Sequence, residues 1–156
     1  METNPHLYAS STPYPVALPA MPAAPRPSPP IVFFDGVCGL CNRSVDLLLR
    51  WDTKAVLRFA PLQGSTARAL LPAEQTRDLD SLVLKDAKGI HRRSDAALLA
   101  LEHLGGGWRM MGLLRALPRG WRDAVYGWVA RHRYRWFGKK ESCRLPSANE
   151  RERFLP

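Results

Sequence analysis

Two cysteines separated by two residues, Cys38 and Cys41, are the side chains in this sequence with the clearest chemical use. A Cys-x-x-Cys supports either dithiol–disulfide exchange or half of a tetrahedral metal site, and its surroundings decide between them. Here it lies in Asp35-Gly36-Val37-Cys38-Gly39-Leu40-Cys41-Asn42, between an apolar run, Ile31–Phe34, and an amphipathic stretch ending at Trp51. The first flank reads as a buried strand and the second as a helix. At such a junction the pair reads as a redox centre. At i, i+3 its side chains share a helix face, with Cα atoms roughly 5–6 Å apart, within reach of a disulfide. A zinc site needs four ligands, and Cys143 with one of His91, His103 or His132 would have to complete it. No second close pair exists, so neither a metal nor an organic cofactor is expected, and the electrons are stored in the dithiol. Cys143 reads as a packed bystander or as a third redox thiol.

The helical stripe gives the two thiols unequal roles. Cys41, Val45 and Leu48 fall at i, i+4, i+7, so Cys41 is expected inside. Cys38 precedes the stripe and is expected outside, where the free N–H groups and dipole of a helix N-terminus favour its thiolate. Cys38 is then the attacking nucleophile and Cys41 the resolving thiol. A dipole contribution of about 2 kcal/mol would lower a thiol pKa by about 1.5 units. Asp35 opposes it: a carboxylate ~6 Å away costs the thiolate about 2.8 kcal/mol at an effective dielectric near 20. Asp35 must therefore point away, be screened, or be protonated. Two uses are open for it: accepting hydrogen bonds from loop N–H groups, or exchanging a proton with Cys41. Gly36 and Gly39 suit a tight turn that a substrate backbone approaches closely.

The elements that hold this motif follow from the pattern around it. Residues 1–30 contain nine of the fourteen prolines and two charges that cancel, which reads as a disordered tail rather than a secretory signal. No run approaches the length of a membrane span, so the cytoplasm, with its reduced thiols, is the expected location. Strands are expected at Ile31–Phe34, Ala55–Leu62, Ser81–Lys85 and residues 90–93, the last a charged edge. Helices are expected from Cys38, at 65–71, at 96–104 with Ser94 or Asp95 as N-cap, and in an extension over 108–138. A short polar tail, 147–156, follows the domain at 31–146. This order predicts an α/β fold: a mixed four-stranded sheet flanked by helices, of thioredoxin-like, glutaredoxin-type layout, with a C-terminal helical extension.

The net charge of +9 is uneven: residues 103–140 carry nine Lys/Arg against one acid. Arg131-His132-Arg133-Tyr134-Arg135-Trp136 interleaves bases with aromatics, which invites a nucleic-acid or lipid surface reading. The expectation, however, is that Trp121, Val125 and Trp128 pack inward and leave the arginines solvated. No nucleic-acid partner is expected, and membrane contact is a secondary possibility. The chain is expected to be a monomer.

The motif Asp35-x-x-Cys38-x-x-Cys41 resembles the signature of the DCC family of thiol-disulfide oxidoreductases. The resemblance continues through Arg58-Phe59-Ala60-Pro61-Leu62-Gln63, Ser94-Asp95-Ala96, Arg133-Tyr134-Arg135-Trp136-Phe137-Gly138 and Cys143-Arg144-Leu145-Pro146, covering nearly all of 31–146. It implies a thioredoxin-like fold and exchange with a disulfide-containing protein or a small thiol, with an electron donor it does not name. Thioredoxin-like proteins usually carry a cis-proline before the third strand, but this chain has Arg77-Asp78-Leu79-Asp80-Ser81 there. Asp80 and Ser81 are the expected substitutes in substrate docking. The alternative to an enzyme is a non-catalytic module that binds an acidic partner or membrane surface through its basic extension.

Overall fold

A computed structural model describes residues 28–77, 82–139 and 146–156. Most of the proline-rich segment lies outside the described residues, as do Asp80, Ser81 and Cys143. The chain runs β1 (Ile31–Phe34), α1 (Gly39–Trp51), β2 (Arg58–Pro61), α2 (Ser65–Leu70), α3 (Ala73–Arg77), β3 (Val83–Asp86), β4 (Gly89–Arg92), α4 (Arg93–His103) and α5 (Arg119–Phe137). A 3-10 helix, Gly106–Ala116, precedes α5, and another, Ala148–Arg153, follows it.

The sheet order is β2-β1-β3-β4. β1 lies between a parallel neighbour, β2, and an antiparallel one, β3, with Val32 opposite both Phe59 and Leu84. That central place explains its unbroken apolar sequence, because alternate residues feed different cores. Val32 and Phe34 pack with Val45 and Leu48 of α1 and Leu99 of α4. Phe33 points the other way, into a smaller cluster with Ala60, Leu62, Ala67 and Val83. The hairpin of β3 and β4 turns on Asp86, whose carboxylate accepts the Lys88 N–H at 2.8 Å. The expected α/β architecture, a mixed four-stranded sheet flanked by helices, is the one present.

Three local expectations are corrected. Ser94 and Asp95 do not cap α4, which starts three residues earlier than expected, at Arg93, with Arg92 at its N-cap. They hold α5 instead: Arg122 reaches Asp95 at 2.7 Å and the Ser94 hydroxyl at 3.2 Å, and Ser94 donates to Asp123. This polar seam fixes the rotation of α5 and overturns the second expectation. Trp121, Val125 and Trp128 face solvent, 78%, 66% and 51% exposed, and the inward side of the helix carries Arg133. Third, the polar tail is packed. Phe154 stacks on Phe59 and meets Phe34 edge-on, and Arg153 pairs with the buried Asp52 carboxylate. The Leu155 N–H donates to the Phe59 carbonyl at 2.8 Å, which extends the sheet's hydrogen bonding beyond β2. Among the described residues, no helix is long and apolar enough to cross a membrane.

Candidate active site

The chain leaves the C-terminal end of β1 at Asp35, turns through Gly36 and Val37, and enters α1 with Cys38 as its N-cap. An N-cap side chain is aimed at the exposed N–H groups of the first turn. Here the cap is sulfur: Cys38 Sγ accepts the Cys41 N–H at 3.4 Å. Asn42, which is buried, locks the turn by donating to the carbonyls of Gly36 and Cys38, both at 2.9 Å. The motif's conformation is thus set within eight residues.

Both thiols are free, and their acidities move in opposite directions. The hydrogen bond from the Cys41 thiol, with further help from the Cys41 N–H and the Arg133 charge, outweighs burial and brings Cys38 down to about 6. Cys41 is driven far up, first by that hydrogen bond to Cys38, then by burial and by the Cys38 charge. One thiolate and one thiol sharing a proton is the arrangement in which a dithiol is poised for exchange.

Exposure is the reverse of the expectation. Cys38 is fully buried, and Cys41 is the partly exposed one. The end of α5 accounts for this. Gly138, at φ 73°, closes that helix, and its carbonyl accepts the Gly39 N–H at 3.1 Å. Cys38 and Lys139 pair as an isolated antiparallel bridge. Residues 137–139 therefore lie over the helix N-terminus and cover the cap. Gly39 is required for that approach, since a Cβ there would sit 2.1 Å from the Phe137 carbonyl oxygen. Gly36 is buried as well, with its N–H facing the Gln63 side-chain oxygen at 3.4 Å. Gly39, expected to admit a substrate backbone, instead makes room for the chain's own.

Asp35 is buried and surrounded by donors. One carboxylate oxygen accepts the Val37 N–H at 3.1 Å and the Gln63 amide at 2.9 Å. The other accepts the Tyr134 hydroxyl at 2.7 Å and lies 3.7 Å from the Arg133 guanidinium. Arg133, only 3% exposed, also donates to the Tyr134 hydroxyl at 3.0 Å. Burial opposes its charge, but Tyr134 and the charge on the thiols raise its pKa above the usual arginine value. The conflict between Asp35 and a neighbouring thiolate is thus met by an arginine buried beside both. Arg133, Tyr134, Gln63 and Asn42 are the site residues that reasoning from the motif did not single out. Arg133, Tyr134 and Gln63 fall in the separated family-like segments, and that was their signal.

The histidines weighed as metal ligands lie elsewhere. His91 and His103 both face Asp86, at 3.1 and 3.2 Å, and His132 lies against Trp128 and Trp136. Among the described residues, no group of three His, Cys, Asp or Glu side chains is arranged to hold a metal ion. Beside Cys41, α1, α4 and α5 line a half-open, largely apolar cavity of about 240 Å³.

Comparison with known proteins agrees with this construction. The Bacillus subtilis protein YuxK is 40% identical over 128 residues, 81% of this chain and 93% of its own length. A chloroplastic DCC family protein of Arabidopsis thaliana is 33% identical over 119 residues, 74% of this chain and 69% of its own length. No solved structure matches. A family model described as DCC1-like thiol-disulfide oxidoreductase matches residues 32–139, which begin in β1 and end at the bridge over Cys38. The matched stretch holds both the cysteine turn and the buried arginine that answers its charge, and the chain belongs to the DCC1-like thiol-disulfide oxidoreductase family.

Proposed function

We propose that the chain is an enzyme of dithiol–disulfide exchange, cycling the Cys38–Cys41 pair between dithiol and disulfide against a disulfide-containing protein or a small thiol. The observation that supports it best is the pair itself: a capping thiolate and a protonated thiol joined by a hydrogen bond at the start of α1. Cys38 is the nucleophile of the pair. When the dithiol closes, its sulfur attacks the Cys41 sulfur of a mixed disulfide and expels the substrate thiolate. When the disulfide opens, Cys38 is the better leaving group, because the more acidic thiol leaves faster. Asp35 acts as a positioning residue: it holds Arg133 and Tyr134 beside the thiols rather than relaying a proton. The chemistry needs no cofactor, and the free thiols suit the reducing cytoplasm.

A stabilised thiolate stabilises the reduced form, so the couple is expected to be more oxidising than thioredoxin's, about −270 mV. Equilibration with glutathione buffers, read by alkylation and mass spectrometry, measures it. Reversible oxidation to an intramolecular disulfide is expected, as is loss of catalysed exchange in both Cys38→Ser and Cys41→Ser. A pair that never closes under oxidised glutathione would sink the reading.

A second role concerns the outer face of α5. Trp121, Val125, Trp128 and Trp136 are exposed there, with Arg131 and Arg135 beside them on the helix. Tryptophan with arginine in a segment of excess positive charge suits an anionic membrane surface. Binding of the monomer to phosphatidylglycerol vesicles, weakened by salt and absent with phosphatidylcholine, is the expected result. If it persists in the double cysteine-to-serine variant, the two roles are separable. Equal binding to both lipids would remove the electrostatic basis of this role.

A further inference from the structure

Two observations bear on what reaches the sulfurs. The backbone edge at the start of α1 is taken: Gly138 and Lys139 pair with Gly39 and Cys38, and Cys38 has no exposed surface. An extended peptide has nowhere to pair there without displacing them. Cys41, by contrast, lines the half-open, largely apolar cavity of about 240 Å³ together with Leu40, Leu47, Trp51, Ala97 and Tyr126, with Arg133 as its charged member. A dry cavity of about 150 Å³ takes a benzene ring. This one has room for a ring or branched alkyl group with a short linker, and its wall carries a redox sulfur.

We infer that the exchange partner is a small thiol, or its disulfide, bearing one apolar group, and that it meets the protein at Cys41. The inference rests on the exchange activity proposed above and names its substrate class. The apolar group fills the cavity and sets its own sulfur against that of Cys41. In the oxidised protein, the thiolate of the small molecule attacks Cys41 Sγ. A new S–S bond forms to Cys41, the Cys38–Cys41 bond breaks, and its electron pair stays on Cys38 as the thiolate held by the Cys41 N–H. A second molecule of the same thiol, as thiolate, attacks the sulfur of the first. The small disulfide leaves, and the Cys41 thiolate takes up a proton. Two thiols have then been oxidised to one disulfide by two electrons, and the protein disulfide has become a dithiol. Run backwards, the same steps reduce the small disulfide. The sulfur that meets the outside is therefore Cys41, the reverse of the order expected from the helical stripe.

Stopped-flow reduction of the oxidised chain by phenylmethanethiol and by 2-mercaptoethanol tests this. Phenylmethanethiol is expected to react about 10- to 100-fold faster per thiolate, the range a hydrophobic pocket gives for modest apolar differences. Acid-quenched mixed disulfide should map to Cys41. Ala97→Phe, which fills the cavity from α4, should bring the ratio of the two rates toward one. Leu47→Gln, at a position 43% exposed and tolerant of a polar group, should lower the same ratio. Equal rates in the unaltered protein would overturn the inference, as would adducts on Cys38 or a ratio unmoved in both variants. Failure to react with either thiol would overturn the exchange activity itself.

Discussion

The two faces of α5 invert the usual relation between polarity and burial. Its inner face holds Arg133 at 3% exposure, whereas its outer face holds Trp121 at 78%. The cause lies in what each face meets. Inside, Asp35 and the Cys38 thiolate, with the Tyr134 hydroxyl reaching in from a side chain that is itself exposed, form a cluster that would be unstable without a cation, and Ser94 and Asp95 engage Arg122 and Asp123 along the same helix. Once these polar contacts set the rotation, the tryptophans are left outside. Burial here follows charge compensation at the redox turn, and α5 belongs to the site rather than being appended to it.

The sharpest way to break this comparison is to remove the buried cation. Arg133→Met leaves Asp35 buried with its positive neighbour gone, and breaking a buried pair from one side costs about 3–5 kcal/mol. Urea denaturation should show that loss, and the Cys38 pKa should rise from about 6 as the Arg133 contribution disappears. Arg131→Met, on the exposed side of the same helix, should stay within about 0.5 kcal/mol of the unaltered protein. Equal effects from the two variants would refute the distinction between faces.

Glycines give the next largest contrast. Gly39→Ala places a Cβ 2.1 Å from the Phe137 carbonyl oxygen, so the end of α5 must move. Overpacking of this kind costs about 1–3 kcal/mol, and Cys38 should become reactive to iodoacetamide as its cover lifts. Gly127→Ala, within α5, meets only an arginine side chain at 3.6 Å and should gain about 0.5–1 kcal/mol from helix propensity.

The order of strands and helices was legible because β1 reads as one apolar run and α1 as one stripe. Cys38, Cys41 and Asp35 were legible because their spacing names their chemistry. Burial at the site was not, since it depends on a segment about a hundred residues away. The stripe logic that placed Cys41 inside is sound for α1 alone; what reversed it was the backbone of 137–139 closing over Cys38. Arg133 and Phe154 were missed for a related reason. Neither an arginine in a basic segment nor a phenylalanine in a polar tail announces a distant partner, and these partners are Asp35 for one and Phe59 for the other.

The thiols also give stability a pH signature. Cys38 is more acidic folded, about 6, than in an unfolded chain, about 8.5, so between these values the unfolded state binds the extra proton. Stability of the reduced protein should therefore rise with pH from about 6 to about 8.5. Cys41 works oppositely: its raised pKa keeps a proton that the unfolded chain loses above about 8.5, so stability should fall beyond that point. Chemical denaturation across pH, with the double cysteine-to-serine variant as reference, isolates both limbs. A difference curve without the rise would remove the thiolate from the folded site.

The smallest stability effect belongs to the outer face and is informative for that reason. Trp121→Gln and Trp128→Gln remove large apolar side chains that the fold leaves 78% and 51% exposed. Substitutions at such surface positions usually stay within about 0.5 kcal/mol. If instead they destabilise by more than about 2 kcal/mol, the tryptophans are packed in solution and the two faces of α5 are not distinct. If stability holds, the same variants should reduce binding to phosphatidylglycerol vesicles while the Cys38–Cys41 potential stays unchanged. Trp128 is the stronger test of the two, because its ring meets Trp136 edge-on at 5.0 Å and lies 5.3 Å from His132. Removing it disturbs an aromatic cluster on the same helix as Arg133, so an unchanged potential would show that the helix carries two functions without coupling them.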